Sequence, residues 1–219
     1  MKRRDFALAL AGALAGGGAL ARALPAPRLM PVAASPAVLR FLAAVPGWSL
    51  PGLGAAAAPV RLVDFFDYRC PYCRAMDPFL SPLVAANPDL RLAFADYPIL
   101  GPGSVVAARL ALAAARQGRY WPAHEWLMRV DTDYSLGMAP ALAAAIGADP
   151  ARLARDAGAP AVAAEIARIL RAGSQLGIDG TPALVSARGV IEGYQSPGAL
   201  QALVGALAGH VAPGGVRAI

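Results

Sequence analysis

The sequence predicts an α/β fold in which a small sheet presents a cysteine pair and a helical segment is set into the middle of the chain. Three observations lead there. An apolar run, Val60 to Phe66, stops at Asp67 and delivers Cys70 and Cys73 onto a segment with helical spacing. A second run, Leu90 to Tyr97, has the period-two character of a strand. Strand signals then return only at Ala183–Ala187 and Val190–Tyr194, which the Arg188-Gly189 turn joins into a hairpin.

In chain order, residues 1–23 combine a charged start, an apolar stretch and small residues near Ala21 and Ala23. That is the pattern of a cleaved secretory signal peptide. The apolar stretch is too short and Gly-rich for a membrane span, which needs about twenty residues. Arg3-Arg4-Asp5-Phe6 is similar to a twin-arginine signal; a general signal that happens to carry two arginines is the other reading. This segment holds Lys2, Arg3, Arg4 and Arg22 against Asp5, which is half of the net charge of +6. The remaining basic residues are all arginine and form no cluster, so no nucleic-acid footprint follows.

Residues 24–58 are rich in Pro, Ala and Gly and read as a linker or N-terminal arm, with one short helix at Pro36–Ala44. Trp48 either caps the core edge or stands on a solvent-exposed arm. A helix is expected from Cys70 to Ala86, with Pro78 and Pro82 as points of interruption. Asn87-Pro88-Asp89 makes a turn, Tyr97-Pro98 turns the chain, and Pro98–Gly103 breaks it. Helices are predicted over Val105–Gln117, Trp121–Val130, Pro140–Ile146, Pro150–Ala157 and Ala159–Leu176. Asp149-Pro150 supplies an N-cap followed by proline in the first turn. A last helix runs from Pro197 to about His210. Residues 59–100 and 177–212 thus form a sheet-bearing domain, and 101–176 an inserted helical domain.

Cys70 and Cys73 are the only cysteines. At a helix start the first backbone N–H groups lack partners and carry partial positive charge. A thiolate placed there is stabilised, and its pKa falls from about 8.5 to roughly 3.5–7.5. Cys70, partly exposed at that start, is then the attacking thiol. Cys73, one turn further in, is the buried resolving thiol. Pro71 suits the first turn because its missing N–H had no partner there. A zinc site needs about four ligands, and only His124 and His210 remain to supply two, in no paired spacing. A disulfide across one turn closes almost no loop, so a purely structural bridge gains little. A Cu(I) site on the two sulfurs stays open.

Phe65-Phe66-Asp67-Tyr68-x-Cys70-Pro71-Tyr72-Cys73 closely resembles the active-site block of the DsbA-like family of exported thiol–disulfide oxidoreductases. Gly177-Ile178-Asp179-Gly180-Thr181-Pro182-Ala183 resembles its second signature, and Trp121-x-x-His124-Glu125-x-Leu127 its helical insertion. Com1-like and ScsC-like members look nearest. The resemblance covers about residues 59–210 and implies a thioredoxin-like fold with an inserted α-helical domain. It implies a cis bond at Thr181–Pro182, with the Thr181 backbone facing the cysteines to receive an extended client segment. It also gives Asp64 a role beneath Cys73, relaying its proton, where the family more often has the longer glutamate. From the residues alone, Asp64 reads equally as a solvated strand-end carboxylate, since burying an acid in so apolar a run is costly.

Tyr72 offers a hydroxyl where the family's strong oxidants have histidine, so a less acidic Cys70 and a less oxidising disulfide are expected. His124, beside Trp121 and Trp126, reads as a packed or surface residue; Asp67 and Arg69 flank the site and shape its local field. Three functions compete: an oxidase donating the Cys70–Cys73 disulfide to exported proteins, the same chemistry run as reductase or isomerase, and a copper-resistance module holding Cu(I). The first implies a periplasmic or otherwise extracytoplasmic monomer. Its partners are cysteine-containing exported proteins and a membrane redox partner that recycles the pair. It needs no soluble cofactor, no metal and no nucleic acid.

Overall fold

The computed structural model describes residues 34–131 and 133–209. The signal expected over 1–23 lies outside the described residues, as does the chain from His210 onward.

The chain enters through α1 (Pro36–Ala44), whose first turn is capped by the Ser35 hydroxyl accepting from the Val38 N–H. A tight helical turn (Val45–Trp48) leads to the short β1 (Gly52–Leu53). α1 falls on the helix expected at Pro36–Ala44, and the described part of the expected linker or arm lies packed against the domain. Phe41 of α1 packs on Phe65 at a ring separation of 5.4 Å, Trp48 packs edge-on to Phe41, and the Arg168 guanidinium lies 4.7 Å from the Trp48 ring centre. Apolar burial of α1 outweighs the loop-like composition around it.

β2 (Val60–Phe66) is followed by α2 (Pro71–Met76), a tight turn (Asp77–Phe79) and α3 (Leu80–Ala86). The single helix expected from Cys70 to Ala86 is therefore two, and the break falls at Pro78, which has no N–H to continue the ladder. β3 (Leu90–Asp96) returns parallel to β2, and α4 (Pro102–Ala115) begins earlier than predicted. Pro98–Gly103 reads as a breaker from composition, but a proline in the first turn starts a helix without losing a bond.

α5 (Tyr120–Arg129), α6 (Ala139–Ile146), α7 (Pro150–Ala157) and α8 (Pro160–Leu176) complete the helical block. Gly177, at φ 72°, ends α8 in the left-handed conformation that glycine adopts without cost. β4 (Ala183–Ser186) and β5 (Gly189–Glu192) form the hairpin, and α9 (Pro197–Ala208) closes the described chain.

The five strands lie in the order β1-β3-β2-β4-β5, with β2 and β3 parallel and the other neighbours antiparallel. Side chains alternate across this sheet. Leu62 and Phe66 of β2, with Leu92 and Phe94 of β3, join a core that includes α2, α3 and the helical block. Val63 and Phe65, with Ala93, Ala95 and Tyr97, face the second core under α1 and α8. Asp64 shares the pleat of Leu62 and Phe66, so the fold places an acid on the face that carries the cysteine helix. The architecture is a thioredoxin-like fold with a helical insertion.

Candidate active site

Cys70 is the N-cap residue of α2, with extended backbone (φ −74°, ψ 117°), and Cys73 lies on its first turn. Both thiols are free and both residues are buried, Cys70 at 4% exposure. The partly exposed Cys70 expected from the sequence is corrected here. Part of its cover is the Thr181 carbonyl, whose oxygen accepts from Cys70 Sγ at 3.1 Å. The Thr181–Pro182 bond is cis. Two segments 111 residues apart thus meet at one sulfur.

The two thiols are pulled in opposite directions. Cys70 is lowered to about 5, first by the hydrogen bond its thiolate receives from Cys73, then, against burial, by the Thr181 side chain and the backbone N–H groups of Cys73 and Tyr72. Helix-start amides act as predicted but rank behind the neighbouring thiol. Cys73 is pushed up, first by burial, then by donating to Cys70 and by the charge of Asp64.

Asp64 is 2% exposed in the middle of the sheet, opposite Phe94 on β3 and Leu184 on β4. The reading of it as a solvated strand-end carboxylate is overturned: β2 is an inner strand, covered on both faces. Burial first, then the charges of Asp77 and Cys70, hold its carboxyl well above the usual carboxylate range. Its Oδ1 has no hydrogen-bond partner among the described residues.

Asp67 does more than flank the site. Its Oδ1 accepts from the Arg69 N–H at 2.8 Å, and its Oδ2 accepts from the Ile99 and Leu100 N–H groups at 2.8 and 2.9 Å. One buried carboxylate thereby ties the loop before Cys70 to the loop after β3. Arg69 points outward, 3.7 Å from the exposed Asp133. Behind α2, Arg74 donates to the Tyr68 carbonyl at 2.7 Å and to the Tyr134 hydroxyl at 2.6 Å.

His124 is fully buried. Nε2 lies 2.8 Å from Asp77 Oδ1, and Nδ1 lies 3.2 Å from the Tyr68 hydroxyl. Its ring stacks on Trp121 and Tyr120, at interplanar angles of 19° and 25°. The sequence singled out His124 without a partner. Asp77 was missed, because a contact 47 residues away leaves no local pattern. Tyr97 also does more than turn the chain: its hydroxyl donates to the Ile178 carbonyl at 3.0 Å, steadying the segment that leads to Thr181.

Three large apolar side chains are exposed, Tyr72 and one on each of the segments tied to the Asp67 and Pro182 loops. Tyr72 is 63% exposed, and Leu100 and Tyr194 are also exposed. Leu100 is held by Asp67, and Tyr194 follows Gly193, whose N–H donates to the Pro182 carbonyl at 2.7 Å.

Residues 61–205 match the model of the DSBA-like thioredoxin domain, and the chain belongs to that family. Among solved structures it is similar to a thioredoxin-like oxidoreductase from Silicibacter pomeroyi DSS-3, at 35% identity and a TM-score of 0.70, over 80% of this chain and 98% of that one. It is similar to a periplasmic thioredoxin-like protein from Salmonella enterica serovar Typhimurium, at 30% identity and a TM-score of 0.69, over 78% of this chain and 97% of that one. The thiol-disulfide exchange protein alpha-DsbA2 from Wolbachia pipientis shares the fold at a TM-score of 0.72 and 23% identity, over 78% of this chain and 94% of that one. A curated relative, the Na(+)/H(+) antiporter NhaA 3 of Salinispora tropica, is 34% identical over 77 residues, 34% of this chain and 12% of the antiporter. The chain therefore spans only about an eighth of the length of the curated relatives it matches.

Proposed function

We propose that the protein is exported and works as an oxidase, passing the Cys70–Cys73 disulfide to cysteines of secreted or periplasmic proteins. The observation that carries this reading is the opposite pull on the two thiols. A thiolate favoured at Cys70 stabilises the reduced form, and that makes the disulfide oxidising.

In the first step a client thiolate attacks Cys70 Sγ, and the Cys70–Cys73 bond breaks. Cys73 leaves as a thiolate and takes a proton from Asp64. A second client thiolate then attacks the client sulfur of the mixed disulfide, closes the client's own disulfide and releases Cys70 as a thiolate. Two electrons pass to the cysteine pair, so no soluble cofactor enters; a membrane redox partner removes them in the next cycle. The Thr181 backbone receives an extended client strand beside Cys70, and Pro71 and Tyr72 frame the attacked sulfur. Tyr72, Leu100 and Tyr194 offer the client an apolar rim. The protein acts as a monomer, in the periplasm or another extracytoplasmic space.

The copper reading has only two sulfurs to stand on, since no group of three or more His, Cys, Asp or Glu suited to a metal occurs among the described residues. Equilibration with glutathione, beside parallel assays of insulin reduction and of oxidative refolding of a reduced client, tests the proposal. Oxidase action predicts fast disulfide transfer and weak insulin reduction. Strong insulin reduction with no transfer overturns it, as does tight Cu(I) binding to the reduced protein that Cys70→Ser abolishes in the absence of any disulfide transfer.

A further inference from the structure

We propose that the cavity between the N-terminal arm and the sheet binds a small aliphatic carboxylate, whose charged end rests between Arg61 and Arg91. The site lies on the face of the sheet away from the cysteine helix, in the core that holds Val63 and Ala93 rather than the one that holds Cys70 and Cys73. It is therefore separate from the redox chemistry, and its failure leaves the oxidoreductase reading untouched.

Where α1 gives way to the tight turn over Val45–Trp48, a cavity of about 280 Å³ remains against β2 and β3. Leu42, Val45 and Leu50 line it from the arm, and Val63 and Ala93 from the sheet. Val63 and Ala93 are partners in the parallel register, and Arg61 and Arg91 are the partners two residues earlier. Alternation puts both pairs on one face. Two guanidiniums thus stand on adjacent strands at one end of an apolar floor, and both line the cavity.

Neither arginine has an acid beside it. Arg69, Arg116, Arg129 and Arg152 each lie within 4.0 Å of a carboxylate, whereas among the described residues no carboxylate comes that close to Arg61 or Arg91. Arg61 donates from one nitrogen to the Ala56 carbonyl at 3.5 Å, and Arg91 from one to the Gly54 carbonyl at 2.9 Å. Those contacts brace the loop before β2 and leave most of each guanidinium's N–H groups uncommitted. Burial first, then the charge of Arg61, pulls Arg91 below its usual range. An anion between the two relieves that repulsion and accepts the paired N–H bonds that a guanidinium fork offers a carboxylate.

The arm side adds a second polar group. Ser49 also lines the cavity, and among the described residues it is the sole non-glycine with a positive φ, 55°. Glycine would take that conformation at lower cost. Serine there brings a hydroxyl that makes no hydrogen bond among the described residues. The size of the ligand follows from the volume. Taking a water's share of about 30 Å³ as room for one heavy atom, the cavity holds about nine, a chain of roughly eight carbons with its carboxylate at the rim.

The test uses octanoate as the probe, titrated into the full chain by calorimetry beside octanol, inorganic phosphate and acetyl-leucyl-leucine. Octanoate is expected to saturate, while octanol, which keeps the tail, and phosphate, which keeps the charge, each bind at least about tenfold more weakly. Arg61→Gln and Arg91→Gln are each expected to weaken octanoate about tenfold, since each removes a charge-assisted bond. Val45→Phe fills the floor from a half-buried position and is expected to weaken it by about as much. Arg61 is exposed, so Arg61→Gln remains informative if Val45→Phe does not fold. Octanoate binding that survives both arginine substitutions at full strength overturns the proposal, because the probe then sits on an apolar patch elsewhere. The absence of saturable binding below about 10 mM overturns it as well. Acetyl-leucyl-leucine binding more tightly than octanoate overturns the small acid in favour of the carboxyl end of a peptide.

Discussion

Cys70 and Cys73 share one turn of α2, yet the thiol of the first is lowered to about 5 while burial pushes that of the second up. The consequence for stability has a defined sign. Cys70 is depressed relative to a thiol in the unfolded chain, at about 8.5. Its contribution to the stability of the reduced protein is therefore complete above that value and disappears as pH falls through about 5. The oxidised protein has no such thiol. The stability of the reduced form relative to the oxidised form is expected to rise steadily between about pH 5 and pH 8.5. Denaturant unfolding of both forms across that window checks it.

Tyr72 is largely exposed beside the pair and brings no positive charge to the thiolate. Tyr72→His is expected to lower Cys70 further and to shift the glutathione equilibrium toward a more oxidising disulfide, by roughly tenfold for each pH unit by which Cys70 falls. No shift in the equilibrium contradicts this account of position 72.

Asp67 is the acceptor for three backbone N–H groups, on Arg69, Ile99 and Leu100. Asp67→Ala leaves all three without it and is expected to cost about 3 kcal/mol or more. Asp67→Asn keeps one carbonyl acceptor and is expected to cost about half as much. Because the tied loops carry Cys70 and Leu100, client oxidation should slow in Asp67→Ala even below its unfolding midpoint. Chemical denaturation and a client-oxidation assay on the same samples read both effects.

Gly173 sits against Tyr97: a Cβ there would press on Cε2 and Cζ of the ring and lie 2.8 Å from its hydroxyl oxygen. Gly173→Ala is expected to destabilise by about 2 kcal/mol through overpacking. The cost should shrink in a Tyr97→Leu background, where the ring is gone, and a double-mutant cycle measures that coupling.

Much of this was legible in the chain because local chemistry dictated it. The run Val60–Phe66 could only be a buried strand, and Cys70-Pro71 could start a helix without losing a hydrogen bond. Alternation along β2 puts Asp64 on the face shared with Phe66. What stayed hidden depends on contacts distant in sequence. Pro, Ala and Gly made residues 24–58 read as a linker or arm around one short helix, whereas Phe41 is buried on Phe65 and the half-buried Trp48 packs against Phe41 and Arg168. Asp64 read as solvated or working until strands on both sides showed it sealed. Asp67 read only as flanking the site and Asp77 drew no reading, since their partners lie dozens of residues away.

The central claim is that Cys70 is held as a thiolate at neutral pH while Cys73 keeps its proton. The rate of Cys70 alkylation by iodoacetamide in the reduced protein, followed against pH, tests it most directly. The account predicts a midpoint near 5 and a reactive thiolate throughout the neutral range. A midpoint near 8.5, that of a free thiol, would contradict it.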